Sequence, residues 1–102
     1  MTEPRELYSG LIRLHVLHHA CERPFFGLWM IEELSQHGYR LSPGTLYLLL
    51  AAMERKGLLQ SSHERVSGKV RRMYTATPAG RAALRTAKKR VKELFGELFE
   101  EK

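Results

Sequence analysis

The chain has 102 residues, 43% hydrophobic and 27% charged, which fits one globular domain with a modest core and excludes wholesale disorder. No apolar run approaches the roughly 18 residues of a membrane span, and Met1 to Glu6 holds no basic segment leading into an apolar one, so neither a spanning helix nor a signal peptide is expected. The net charge of +6 is uneven: residues 1–51 hold four Lys/Arg against five Glu, net −1, and residues 52–102 hold thirteen against six, net +7, which points to a polyanion partner.

Four helices and one hairpin are expected. The first helix runs from about Pro4 to Ala20. Leu7, Leu11, Leu14 and His18 form its stripe, widened by Tyr8, Ile12, Val16 and Leu17. Pro24 ends it, because the residue before a proline avoids the α region. The second helix spans about Phe26 to His37, with Leu28, Ile31 and Leu34 on its core face, Trp29 beside them, and Gly38 as the stop. The third has the strongest start signal: Ser42 as N-cap and Pro43 in the first helical position. Its core stripe is Leu46, Leu49, Leu50 and Met53. Its outer face is Gly44, Thr45, Leu48, Ala51, Ala52 and Arg55, with Tyr47 at the edge.

Residues 58–77 change character. They read as a β-hairpin with its tip near Ser67-Gly68-Lys69. Thr77-Pro78 repeats the helix-start signal, and the last helix runs to about Glu100. Leu84, Ala87, Val91, Leu94 and Leu98 step by 3, 4, 3 and 4 residues, a heptad seam broadened by Phe95 and Phe99. So small a domain cannot easily cover a stripe on a helix about 30 Å long, so a second copy is expected to cover it. The alternative is packing within one chain, on the first helix.

This order predicts a mainly α fold with a small β-hairpin: a winged helix-turn-helix with a long C-terminal dimerisation helix. Residues 1–77 would bind DNA and residues 78–102 would join two copies. Small residues on the third helix let it approach a major groove, and its N-terminus, with the Ser42 and Thr45 hydroxyls, can hold a phosphate. The DNA-binding set is Ser42, Pro43, Gly44, Thr45 and Tyr47 on the helix with Lys69, Arg71 and Arg72 on the wing. Arg55 and Arg65 are further phosphate candidates. The run Lys88, Lys89, Arg90 and Lys92 reads as the solvated face opposite the seam.

Three stretches resemble the PadR family of transcriptional regulators. They are Phe26-Gly27-Leu28-Trp29-Met30-Ile31-Glu32-Glu33-Leu34, Leu41-Ser42-Pro43-Gly44-Thr45-Leu46-Tyr47 and Met73-Tyr74-Thr75-Ala76-Thr77-Pro78-Ala79-Gly80, and the resemblance covers about residues 7–82. Ser-Pro-Gly-Thr-Leu-Tyr is its most specific block. Two positions depart from the pattern. Leu48 replaces the proline usual after the tyrosine, and Phe26-Gly27 replaces Tyr-Gly. The resemblance implies a homodimeric repressor on an inverted-repeat DNA operator, of the short subgroup with one C-terminal dimerisation helix. It also implies, for some members, release by aromatic or drug-like effectors near the dimer interface.

Other chemistry is thin. Asp is absent, which removes Asp-based triads, and no P-loop, dinucleotide fingerprint, His-Glu-x-x-His or Gly-x-Ser-x-Gly occurs, so neither an enzyme nor a cofactor is expected. Cys21 alone forms no intramolecular disulfide and fits a reducing cytoplasm. Trp29, Phe95 and Phe99 are the candidate effector pocket at the dimer seam. His15, His18 and His19 with Cys21 nearby raise a metal-sensing alternative, but the wheel does not turn them one way and no second ligand cluster is evident. No metal residue is therefore assigned. His37 and His63 read as structural. The competing class is a winged-helix module that binds a protein instead of DNA.

Overall fold

A computed structural model describes residues 5–100. The elements in chain order are α1 (Arg5–Glu22), β1 (Phe25–Phe26), α2 (Gly27–Gln36), α3 (Pro43–Arg55), β2 (Leu59–Val66), β3 (Lys69–Ala76) and α4 (Pro78–Phe99). The strands form one antiparallel sheet in the order β1-β3-β2. This is the winged helix-turn-helix arrangement: α2 and α3 form the helix-turn-helix, and β2 and β3 form the wing.

α1 carries two apolar faces. Ile12, Val16, Leu17 and Ala20 are buried in the core. The expected leading stripe is a separate face, with Leu7 and Leu11 exposed, Leu14 half-buried and His18 exposed. The helix extends past Ala20 to Glu22, and the Arg23 amide still donates to the His19 carbonyl. Pro4, its expected start, lies outside the described residues.

α2 begins one residue later than expected because Phe25 and Phe26 are a strand, paired with Tyr74 and Met73 of β3. Two residues give almost no alternation signal, so this strand is invisible before β3 is placed beside it. The core face of α2 is also rotated. Gly27, Met30 and Leu34 are buried, whereas Leu28 is 54% exposed and Ile31 and Trp29 are half-buried. Gly27 is where α2 comes closest to Tyr47 of α3: a Cβ there would lie 2.6 Å from the Tyr47 hydroxyl oxygen.

α3 forms as expected. The Ser42 hydroxyl accepts from the Thr45 amide at 3.2 Å, Pro43 opens the helix, and Leu46, Leu49, Leu50 and Met53 are buried. The wing closes through a two-residue turn in which Ser67 (φ 52°) and Gly68 (φ 80°) both take left-handed backbone, as a type I′ turn requires. Its tip lies where the sequence places it.

The start of α4 is pinned to the body. The Thr77 hydroxyl accepts from the Gly80 amide at 2.9 Å, and the Thr77 amide donates to the Leu58 carbonyl at 3.1 Å. The Arg81 guanidinium donates to the Cys21 carbonyl at 2.9 Å, which ties α4 to the end of α1. Beyond Leu84 and Ala87 the helix leaves the core. Val91, Leu94, Phe95, Leu98 and Phe99 are between 47% and 69% exposed. The radius of gyration, 14.9 Å, exceeds the about 13 Å of a compact chain of this length, consistent with an uncovered distal α4.

Candidate nucleic-acid interface

The first turn of α3 presents Ser42, Pro43 and Gly44 to solvent, with Thr45 half-buried. Its hydrogen bonding is narrower than the sequence implies. The Ser42 hydroxyl donates to Thr45 Oγ1 at 3.0 Å while accepting the Thr45 amide. Pro43 has no N–H, and the Leu46 amide donates to the Ser42 carbonyl. Gly44 is left as the first-turn amide open to an anion, together with the hydrogen of the Thr45 hydroxyl. Further along, Tyr47 is 43% and Leu48 75% exposed. Ala51 and Ala52 are half-buried, and Arg55 is exposed in the last turn.

The wing arginines are held differently from each other. The Arg71 guanidinium sits over the Phe26 ring, 4.3 Å from its centroid. Arg72 Nε donates to the Ser61 hydroxyl at 3.1 Å, and that hydroxyl donates to Glu54 at 2.7 Å. This chain links the wing to the C-terminal half of α3. Lys69 is exposed at the strand start, and the exposed Arg65 reaches only the Gly68 carbonyl. Tyr47, Arg71 and Arg72 converge on one shallow recess of about 210 Å³, bounded also by Phe26, Gly27, Leu28 and Val70. Phe26, Ser61 and Glu54 are positioning residues that sequence reasoning misses. Their partners are distant in sequence, and only the sheet register brings Ser61 near Arg72.

Residues 16–86 match the model of the family described as transcriptional regulator PadR-like. The chain belongs to the PadR-like family. It is similar to the transcriptional regulator Rv3488 of Mycobacterium tuberculosis, 50% identical over 95 residues, which cover 93% of this chain and 89% of that protein. It is also similar to the crystal structure of a PadR family transcriptional regulator from Eggerthella lenta, with 31% identity and a TM-score of 0.76 over 95% of this chain and 88% of that one. A PadR-like regulator from Bacillus cereus shares the fold at a TM-score of 0.81 and 22% identity, over 95% of this chain and 99% of that one. PadR-like membership makes the chain a transcriptional regulator and not an enzyme.

The apolar stripe on α4 is half-covered. Leu84 and Ala87 are half-buried near the core, while Val91, Leu94, Phe95 and Leu98 face solvent. Leu11, Leu14, Leu84, Val91 and Phe95 line an apolar groove between α1 and α4, with Lys88 and Lys92 on its rim. Within one chain Trp29 does not meet Phe95 and Phe99. Trp29 lies against Phe25 and His19, with ring centroids 6.3 and 5.4 Å away, whereas Phe95 packs on Phe99 at 4.9 Å. A pocket holding all three aromatics would need two protomers. His37, remote in sequence from α1, stacks on His15 at 4.7 Å and makes the second ligand cluster that the spacing of His15, His18 and His19 does not reveal. No helix among the described residues is long and apolar enough to cross a membrane.

Proposed function

We propose that the protein is a cytoplasmic homodimeric repressor that binds an inverted-repeat DNA operator and blocks a promoter by occupying it. Residues 1–77 read the DNA and residues 78–102 join the two copies. The observation that carries this reading is the convergence of Tyr47 from α3 with Arg71 and Arg72 from the wing on one recess. A major-groove helix and a backbone-gripping wing must act on the same stretch of duplex, and this recess is where they meet.

In this reading Gly44 and Thr45 take a phosphate at the start of α3, with Ser42 and Pro43 shaping that turn. Tyr47 reaches toward base edges. Lys69, Arg71 and Arg72 hold the sugar-phosphate backbone. The seam of Leu84, Ala87, Val91, Leu94, Phe95 and Leu98, open from Val91 onward, pairs with its copy, setting two α3 helices about 34 Å apart in successive major grooves. A planar aromatic effector would stack between Phe95, Phe99 and Trp29 across the dimer and change the angle between the winged units.

The test is binding of purified protein to duplex DNA from upstream of its own gene, against random duplex, titrated in salt. Sequence-preferring binding that weakens by about 10³- to 10⁵-fold between roughly 50 and 200 mM salt is expected for six to ten phosphate contacts. The double variant Arg71→Ala, Arg72→Ala should lose DNA affinity and remain dimeric by light scattering. Unchanged affinity would remove the wing from the interface.

A further inference from the structure

His15 and His19 on α1 and His37 at the C-terminal end of α2 are brought together by the packing of the two helices. Their ligand nitrogens lie within 4.8 Å of one another. Glu33, one turn before His37, adds a carboxylate: its Oε2 lies 3.4 Å from His19 Nε2 and 3.2 Å from His37 Nε2. Two imidazole nitrogens from different helices therefore converge on one carboxylate oxygen, with a third imidazole stacked on His37.

We propose that His15, His19 and His37, with Glu33, form a binding site for a divalent transition cation of the zinc class. The donor set is right for such an ion, since imidazoles and a carboxylate are its ordinary protein ligands. The spacing is also right. Ligands about 2.0–2.1 Å from a tetrahedral zinc sit about 3.3 Å apart, and both nitrogen-to-oxygen separations at Glu33 are within 0.1 Å of that. The remaining nitrogen separations, within 4.8 Å, must shorten by side-chain rotation when the ion binds, and His37 is free to turn at the exposed end of α2. The site is partly dry: the side chains of His19 and Glu33 are 15% and 21% exposed. His18, His19 and Glu22 form a second group on one exposed turn of α1. It shares His19 but spans no helix junction.

Zn²⁺ titration of the untagged full chain, followed by calorimetry and by fluorescence of Trp29, tests the site. Trp29 is the chain's single tryptophan and its ring centroid lies 5.4 Å from that of His19. One Zn²⁺ per chain and a change in Trp29 emission are expected. His37→Gln and Glu33→Gln should each weaken binding about tenfold or more. His37 is exposed, so its loss leaves the fold intact, which circular dichroism checks. His18→Gln should bind as the parent does. No uptake of Zn²⁺ overturns the proposal. So does uptake that survives His37→Gln but fails in His18→Gln, since the ion would then sit on the single turn of α1.

Discussion

At Gly80 a Cβ would lie 2.2 Å from the Leu58 carbonyl oxygen, a backbone atom that cannot swing aside. Gly80→Ala must therefore push α4 off the turn after α3. An overpacking cost of about 1–3 kcal/mol is expected, which for a chain of this size lowers Tm by roughly 4–20 °C in a thermal melt. Gly27 differs, because the atoms in the way belong to the outer end of the Tyr47 ring. Gly27→Ala should keep the fold, since the ring can rotate toward solvent, yet weaken DNA binding by moving Tyr47 out of the recess it shares with Arg71 and Arg72. Equal Tm together with equal DNA affinity would show that Tyr47's position is immaterial. Lys69 is exposed and is not held as Arg71 and Arg72 are. Lys69→Ala should reduce the slope of log affinity against log salt by about 1, uniformly across DNA sequences.

Among the elements, α3 carries the tightest local design. Ser42 caps it through the Thr45 amide, and Ser42→Ala should cost about 0.5–2 kcal/mol in a denaturant titration. The Ser42 hydroxyl hydrogen is turned to Thr45 Oγ1, so the variant's DNA affinity should fall mainly as α3 frays. The wing is coupled to α3 through Arg72, Ser61 and Glu54. α1 shows why a periodic stripe can mislead. It has two apolar faces, and a wheel cannot say which one meets the core and which is left on the side of α4. In α2 the packing against α3 and the core buries Gly27, Met30 and Leu34, and leaves Leu28 exposed.

At the scale of the molecule, the uncovered distal half of α4 and the second face of α1 present Leu7, Leu11, Val91, Leu94, Phe95, Leu98 and Phe99 to solvent. These exposed apolar side chains are the surface that the proposed dimer would cover. If the proposed seam joins two copies, Leu94→Glu should yield a monomer by light scattering with helix content unchanged by circular dichroism, because Leu94 is half exposed and lies outside the chain's own core. A variant that stays dimeric would place the interface elsewhere.

The sequence alone determined what is local. Helix starts at Ser42-Pro43 and Thr77-Pro78, the turn at Ser67-Gly68 and the core stripe of α3 each depend on residues a few positions apart, and each appears where their chemistry requires. The Ser-Pro-Gly-Thr-Leu-Tyr block likewise pointed to the PadR family before any geometry was known. What only the tertiary structure decided depends on partners far along the chain: β1 exists because β3 lies beside it, α2 buries Gly27, Met30 and Leu34 instead of Leu28, and Trp29 is separated from Phe95 within one chain. The meeting of His15 and His19 with His37 belongs to the same class. Periodicity reports which side of a helix is apolar, whereas contacts across 20 or more residues depend on how the helices pack, and nothing in the spacing of one segment records that.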